Sequence, residues 1–259
     1  MRKSPSLISW LIPLFRREVI LQNPLRKFPK VVKIKGVKIP ILKDKLSQFL
    51  QVLIFMGFYE KEELKLVQHL LDRNDIVMEL GTGLGLISSY CAKKIGSQRV
   101  FTYEANPALE TYIRHTYRLN GVSPNLTMCV LGERSGEQTF YVSKDFICSS
   151  TVLKNSQDRP VRVPVKSFNE EAYRINPTFL ILDIEGGEYE LLKFADLHTI
   201  EKIVIEVHPN AIGKKKVDFV MSQLKNAGFY MNKKLSLNRE LVWERHGDKS
   251  DRFPYSKEI

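Results

Sequence analysis

Ile76-Val77-Met78-Glu79-Leu80-Gly81-Thr82-Gly83-Leu84-Gly85 runs from a short apolar strand straight into a helical stretch. Glycines at such a bend let the backbone take positive φ and approach a ligand closely, and the following helix offers unpaired N–H groups. In open α/β sheets this bend, at the carboxyl end of the first strand, is where nucleotides bind. A G-x-G alone is weak evidence, because many loops are glycine-rich.

Two details sharpen it. A dinucleotide fingerprint wants its third glycine three residues after the second; here that place holds Leu86, and Gly85 comes one residue early. Glu79 also puts a carboxylate at the mouth of the loop, where it would repel a pyrophosphate and suit a ligand carrying an ammonium and a sulfonium. S-adenosylmethionine is such a ligand. Nineteen residues after Gly85, Phe101-Thr-Tyr103-Glu104 ends the next strand in an acid, placed to accept hydrogen bonds from both ribose hydroxyls of a nucleoside. The third strand, Leu126–Val130, is expected to end beside the adenine, with backbone groups of Val130 and Leu131 taking the place of a missing acid.

Outward from this core, apolar β-rich runs alternate with helical segments. Strands are expected at 76–80, 100–103, 126–130, 178–183 and 203–207, with late strands near 229–233 and 241–243. Helices are expected at 86–94, 107–119, 188–194 and 215–227. This alternation implies a Rossmann-like α/β sandwich, a mostly parallel seven-stranded sheet with helices on both faces. Strand-like pieces at 139–142 and 161–165 interrupt it around a polar loop. Upstream, Val31–Ile41 alternates apolar residues with lysine about Gly36 and reads as a basic hairpin, followed by helices over 46–58 and 61–71. The organisation expected is a basic N-terminal arm, hairpin and helix over 1–60, then the Rossmann-like domain over 61–259.

The formal charge of +11 is unevenly spread. Residues 1–45 hold twelve Lys or Arg against two acids, whereas 46–259 hold 28 against 27. The positive field therefore belongs to the arm. Within it, Leu7–Phe15 followed by Arg16 and Arg17 fits either packing on the domain or peripheral contact of residues 6–17 with an anionic membrane. The three cysteines, Cys91, Cys129 and Cys148, are far apart and form no metal-binding spacing, so buried reduced thiols and a cytoplasmic setting are expected.

Strand four ends Asp183-Ile-Glu185-Gly186-Gly187-Glu188, and strand five ends Glu206-Val-His208. Both lie at the carboxyl edge of the sheet. Methyl transfer to a hydroxyl is an in-line displacement that needs alignment and removal of a proton, so Asp183, Glu185 and His208 are the candidate catalytic groups. The same oxygens and imidazole would suit a divalent cation, but the sequence assigns them no metal. No Asn-Pro-Pro-Tyr or Asp-Pro-Pro-Tyr follows strand four, which excludes the motif used against flat amides and amines.

These residues resemble the FkbM-type methyltransferase family. The resemblance runs from about Lys35 to Val207 and rests on Gly57-Phe58-Tyr59-Glu60, the Met78–Gly85 loop, Tyr103-Glu104-Ala-Asn106-Pro107, Leu119-Asn-Gly121, Asp183-Ile-Glu185-Gly186 and Ile205-Glu-Val-His208. It implies a class I S-adenosylmethionine-dependent methyltransferase, in a family that mostly O-methylates sugars, glycans or small natural products. Glu79 stands where many members have Asp, and Thr82-Gly83-Leu84 replaces a common Ala-Asn loop. The cofactor-binding set expected is Glu79, Gly81, Thr82, Gly83, Gly85, Glu104, Asn106, Val130 and Leu131. A hydroxyl-bearing small molecule or glycan is the expected acceptor. The alternatives are RNA held by the basic arm, or a nucleoside-binding scaffold without turnover.

Overall fold

The computed structural model describes residues 29–42, 45–143, 149, 151 and 156–245. Its centre is a seven-stranded sheet in the order β11-β12-β10-β9-β3-β4-β5. β3 (Val77–Leu80) lies between β4 (Val100–Glu104) and β9 (Phe179–Leu182), and β5 (Asn125–Met128) and β10 (Lys202–Glu206) extend the parallel part on either side. β12 (Glu240–Glu244) runs antiparallel to β10 and pairs with β11 (Tyr230–Met231). This is the mostly parallel seven-stranded sheet expected from the alternation of runs.

Strand side chains alternate between faces, and two cores form accordingly. Val77, Phe179, Ile181 and Val204 pack on one side; Met78, Leu80, Leu180, Leu182, Ile203 and Ile205 pack on the other. All four residues of β3 and of β9 are buried, as strands covered on both faces must be. The first core is closed by α3 (Leu86–Ile95) and α4 (Glu110–Asn120), and the second by α5 (Phe168–Ile175) and α7 (Lys214–Asn226).

The hairpin of β1 (Val31–Ile34) and β2 (Val37–Pro40) turns at Lys35 and Gly36, both at positive φ, as a two-residue loop of this kind requires. Lys33, Lys35 and Lys38 are exposed, while Ile34, Val37 and Ile39 enter the first core together with Leu50 and Ile54 of α1 (Gln48–Phe55). Asn120 at the end of α4 clamps this hairpin: its side chain accepts from the Lys38 N–H and donates to the Lys38 carbonyl, at 2.8 and 2.7 Å. α2 (Lys61–Leu70) follows. Residues 1–28, with the apolar and Arg16-Arg17 segment, lie outside the described residues, as does Cys148. Cys91 and Cys129 are buried and free. Among the described residues no helix is long and apolar enough to cross a membrane.

Three expectations change. The third strand is not continuous to Val130: it ends at Met128, and β6 (Val130–Gly132) instead pairs with β8 (Arg159–Ser167) in a separate three-stranded sheet with β7 (Gly136–Val142). The helix after strand four is shorter than 188–194, because only α6 (Glu188–Leu191) closes before the chain turns. And α5 was not foreseen, although Ser167-x-x-Glu170 marks its start: the Ser167 hydroxyl accepts from the Glu170 N–H.

Glu171 on α5 gathers Tyr103, Lys166 and Arg174 around one carboxylate, at 2.6, 3.1 and 2.5 Å. Burial would raise its pKa, but these donors outweigh it and bring it down to about 2. A carboxylate depressed on folding stabilises above its unfolded value near 4.5 and loses that contribution as pH falls toward 2. Glu171→Gln should therefore cost about 1–2 kcal/mol in urea unfolding at pH 7, with the gap to wild type shrinking between pH 4.5 and 2. A gap independent of pH would show that the ionic contacts do not matter.

Candidate active site

The carboxyl ends of β3, β4, β9 and β10 open into one cavity of about 1210 Å³. Its wall includes Gly81, Gly83, Glu104, Val130, Leu131, Asp183 and Glu185, so the expected loop, ribose acid, adenine strand and strand-four acids converge. The separate sheet contributes Gln138 and Phe140, and α1 and the chain after it contribute Leu50, Leu53, Tyr59 and Glu60.

Close packing holds the loop. Gly81, Gly83 and Gly85 all have positive φ. A Cβ on Gly81 would fall inside the carbonyl of Asp183, and one on Gly83 would meet the Tyr59 hydroxyl and the Glu60 carboxylate. The Leu84 N–H donates to the Tyr59 hydroxyl at 3.1 Å, and that hydroxyl in turn bonds the Glu60 side chain. Residues Gly57-Phe58-Tyr59-Glu60 thus brace the loop from the N-terminal side. The sequence offered these residues only through the family resemblance.

Glu104 is buried at the tip of β4. Its Oε2 accepts the Gly83 N–H at 3.1 Å and its Oε1 the Asn106 N–H at 2.8 Å. Burial pushes its carboxyl up to about 7, against the lowering effect of these N–H groups. Asn106 is turned from the cavity: its amide caps the short helical turn at Ala108 and reaches Ser149, so it supports Glu104.

Glu79 does not sit at the mouth of the loop. Strand alternation turns it toward the first core, where its carboxyl group accepts from the N–H and hydroxyl of Ser88 in the first turn of α3. It ties strand to helix, and burial, with Glu60 nearby, raises its pKa well above the ordinary value. Thr82 and Gly85 also lie behind the wall; the Thr82 hydroxyl is buried without a hydrogen-bond partner among the described residues.

At the floor, Asp183, Glu185 and Glu206 face the imidazole of His208, which is buried just behind them. Nε2 lies 3.5 Å from Asp183 Oδ1, 3.7 Å from Glu185 Oε2 and 3.6 Å from Glu206 Oε1. Nδ1 meets Oε1 of the fully buried Glu188 at 2.8 Å, and the same oxygen accepts the Gly186 N–H at 3.0 Å. Arg239 contacts Glu206 at 2.6 Å. Burial lowers the His208 pKa, but the Glu188 bond and the charges of Asp183, Glu188 and Glu185 overcome it and carry it to about 9. Burial and Glu206 raise Asp183. The surrounding carboxylates thus favour the protonated ring over the neutral one. Glu188 was visible only as one of three strand-end acids; nothing in the sequence marked it as the partner of His208.

The wall as a whole carries ten acidic side chains against Lys61 and Arg239. Such a field attracts cations and rejects diphosphates. With backbone amides at a strand-to-helix bend, an acid at the second strand tip and acids at the fourth, the residues fit a cationic nucleoside.

A Rossmann-like sheet in this order, with its ligand cavity at the first, second and fourth strand ends, defines the class I methyltransferase architecture. The methyltransferase FkbM domain profile matches residues 75–231, more than half the sequence, and the chain belongs to that family. S-adenosylmethionine is its cofactor. Among solved structures, similarity extends to a ribosomal protein L11 methylase from Lactobacillus delbrueckii subsp. bulgaricus, at 12% identity over 73% of this chain and 80% of that one, TM-score 0.44. It extends also to a TehB-like S-adenosylmethionine-dependent methyltransferase from Corynebacterium glutamicum, at 13% over 77% and 95%, TM-score 0.43. A tRNA (uracil-54, C5)-methyltransferase from Pyrococcus abyssi, in complex with S-adenosyl-L-homocysteine, matches at 13% over 84% and 44%, TM-score 0.47. No curated protein matches the sequence.

Gly81→Ala tests the packing of the loop. Positive φ and the Asp183 carbonyl together should cost on the order of 3 kcal/mol, lowering the melting temperature by roughly 6–12 °C in calorimetry. Gly121→Ala, at φ +64 with nothing near its Cβ position, should cost only about 1 kcal/mol. Equal losses at both sites would remove the close-approach argument.

Proposed function

We propose that the chain transfers the methyl group of S-adenosylmethionine to a hydroxyl of a sugar, glycan or small molecule, with Asp183, Glu185 and His208 forming the acceptor end of the site. The observation that carries this reading is that the glycine loop and Glu104 open onto the same cavity as Asp183 and Glu185. The cofactor supplies a methyl carbon made electrophilic by its sulfonium. Glu104, held by backbone N–H groups that include those of Gly83 and Asn106, lines the cavity where the ribose hydroxyls would sit. Gly81 and Gly83 bring bare backbone to the cavity, and Val130 and Leu131 offer the adenine an edge of strand and apolar surface.

At the other end, Asp183 Oδ1 is buried and lacks a hydrogen-bond partner among the described residues. An acceptor O–H would meet that need. A carboxylate at Asp183 or Glu185 would take up the hydroxyl proton as the acceptor oxygen attacks. His208 lies behind these groups and fixes their positions through its charge. The acidic wall also favours a neutral acceptor over RNA, whose phosphates would face ten carboxylates. Of the basic arm that would hold RNA, residues 1–28 lie outside the described residues, and the hairpin carries the exposed Lys33, Lys35 and Lys38.

Two measurements test the halves separately. Glu104→Ala should lose about 1–3 kcal/mol of S-adenosylmethionine affinity in isothermal titration, and unchanged affinity would refute the ribose role. With labelled cofactor and cell-extract pools separated into glycan, RNA and small molecules, label should enter the glycan or small-molecule pool and vanish with Asp183→Asn. Label confined to RNA would overturn the acceptor assignment.

A further inference from the structure

We infer that Asp183, Glu206 and His208 form a site for one divalent transition-metal cation, of the Mn²⁺ or Zn²⁺ kind, at the floor of the cavity. The three side chains offer ligand atoms that all lie within 4.8 Å of one another. Their spacing is the first argument. At 3.5 and 3.6 Å, the Nε2 distances to Asp183 and Glu206 exceed the 2.7–3.2 Å of a formed N–H···O bond. Ligands held about 2.1 Å from a common metal at tetrahedral angles stand roughly 3.4 Å apart. The three ligand atoms are close enough to share one ion, and the two measured spacings match that of ligands on a common metal.

The second argument is independent of the acids. Only 6% of the His208 side chain is exposed, and its Nε2 is aimed into the cluster, 3.5–3.7 Å from Asp183, Glu185 and Glu206. The atom it faces most closely, Asp183 Oδ1, is itself buried without a hydrogen-bond partner among the described residues. A cation would meet the need of Asp183 Oδ1 and take the place of the proton on Nε2. The third argument lies behind the ring. Glu188 Oε1 takes the Gly186 N–H and the Nδ1 side of the imidazole, which fixes ring orientation and directs Nε2 forward. A carboxylate behind a histidine is the arrangement by which proteins orient imidazole ligands on a metal.

Two carboxylates and an imidazole make a mixed oxygen and nitrogen set, which suits Mn²⁺, Fe²⁺ or Zn²⁺ better than Ca²⁺. Arg239, at 2.6 Å from Glu206 Oε1, supplies one positive charge to the same cluster and is the competitor a cation must coexist with. Asp183 and Glu206 also line the cavity, so remaining coordination positions would open toward the acceptor. There a cation would hold and acidify a hydroxyl, a role that rests on the O-methyl reading; the site itself does not.

Full-length protein stripped with chelator and dialysed should bind one equivalent of Mn²⁺ in a titration followed by the loss of free Mn²⁺ EPR signal. Asp183→Asn and His208→Gln should weaken this at least tenfold while holding S-adenosylhomocysteine within about threefold of wild type, which also shows that they fold. In the wild type, pulsed EPR should detect one imidazole nitrogen coupled directly to Mn²⁺. No stoichiometric binding of Mn²⁺ or Zn²⁺, binding unaltered in both variants, or bound Mn²⁺ without a coupled nitrogen would each overturn the site. Full methyl transfer to a hydroxyl after chelation would overturn the cation's role in the reaction and leave the O-methyl reading standing. Tight binding through His208 in a protein that labels only RNA would do the reverse.

Discussion

The backbone of Gly81 rests against the carbonyl of Asp183, and much of the site follows from that contact. It exists because β3 and β9 are parallel neighbours in register, Leu80 opposite Leu182, so that both chains leave the sheet at the same level. The loop after β3 bends toward the helix that caps it, and the chain after β9 turns through Glu185 and Gly186 at positive φ. A side chain at position 81 would push these exits apart. Cofactor loop and acceptor acids would then no longer share one cavity.

The supports around this contact come from distant parts of the chain. Tyr59 reaches the Leu84 N–H from the N-terminal segment, whose hairpin and helix enter the first core beside Val77 and Ile181. Glu104 reaches the Gly83 N–H from β4. Each bond satisfies a backbone donor that the bend would otherwise leave unpaired in a buried place. The loop is therefore a preformed element, held by groups that do not themselves need a ligand to be in position.

The parallel sheet was legible because fully apolar runs such as Phe179–Leu182 admit few readings, and the glycine spacing named the bend. Gly81, Gly83, Glu104, Val130, Leu131, Asp183 and Glu185 reach the cavity wall as the strand-end argument implies. Glu79 escaped it because the motif gives residue type and not side-chain direction: two-residue periodicity sends an odd-numbered residue of β3 to the face of α3. The break at Cys129 escaped for a similar reason, since Leu126–Val130 keeps strand-like composition across a corner where pairing passes from one sheet to another. The pairing of Glu188 with His208 joins two loops twenty residues apart, and local pattern carries no signal for it.

The acids of this fold pull in opposite directions. Glu171, surrounded by Arg174, Tyr103 and Lys166, is held as a carboxylate and strengthens the fold at neutral pH. Glu104 and Glu60, raised by burial to about 7 and about 8, bind protons in the native state at pH values where the unfolded chain has released them. Their contribution to stability therefore falls as pH rises from about 4.5 through those values, the reverse of Glu171. A cavity lined this way is electrostatically incomplete by itself, and positive charge brought by a ligand offsets the repulsion among its acids. The same arrangement that weakens the ligand-free protein thus supplies the preference for a cationic nucleoside over a diphosphate, because only the former relieves it.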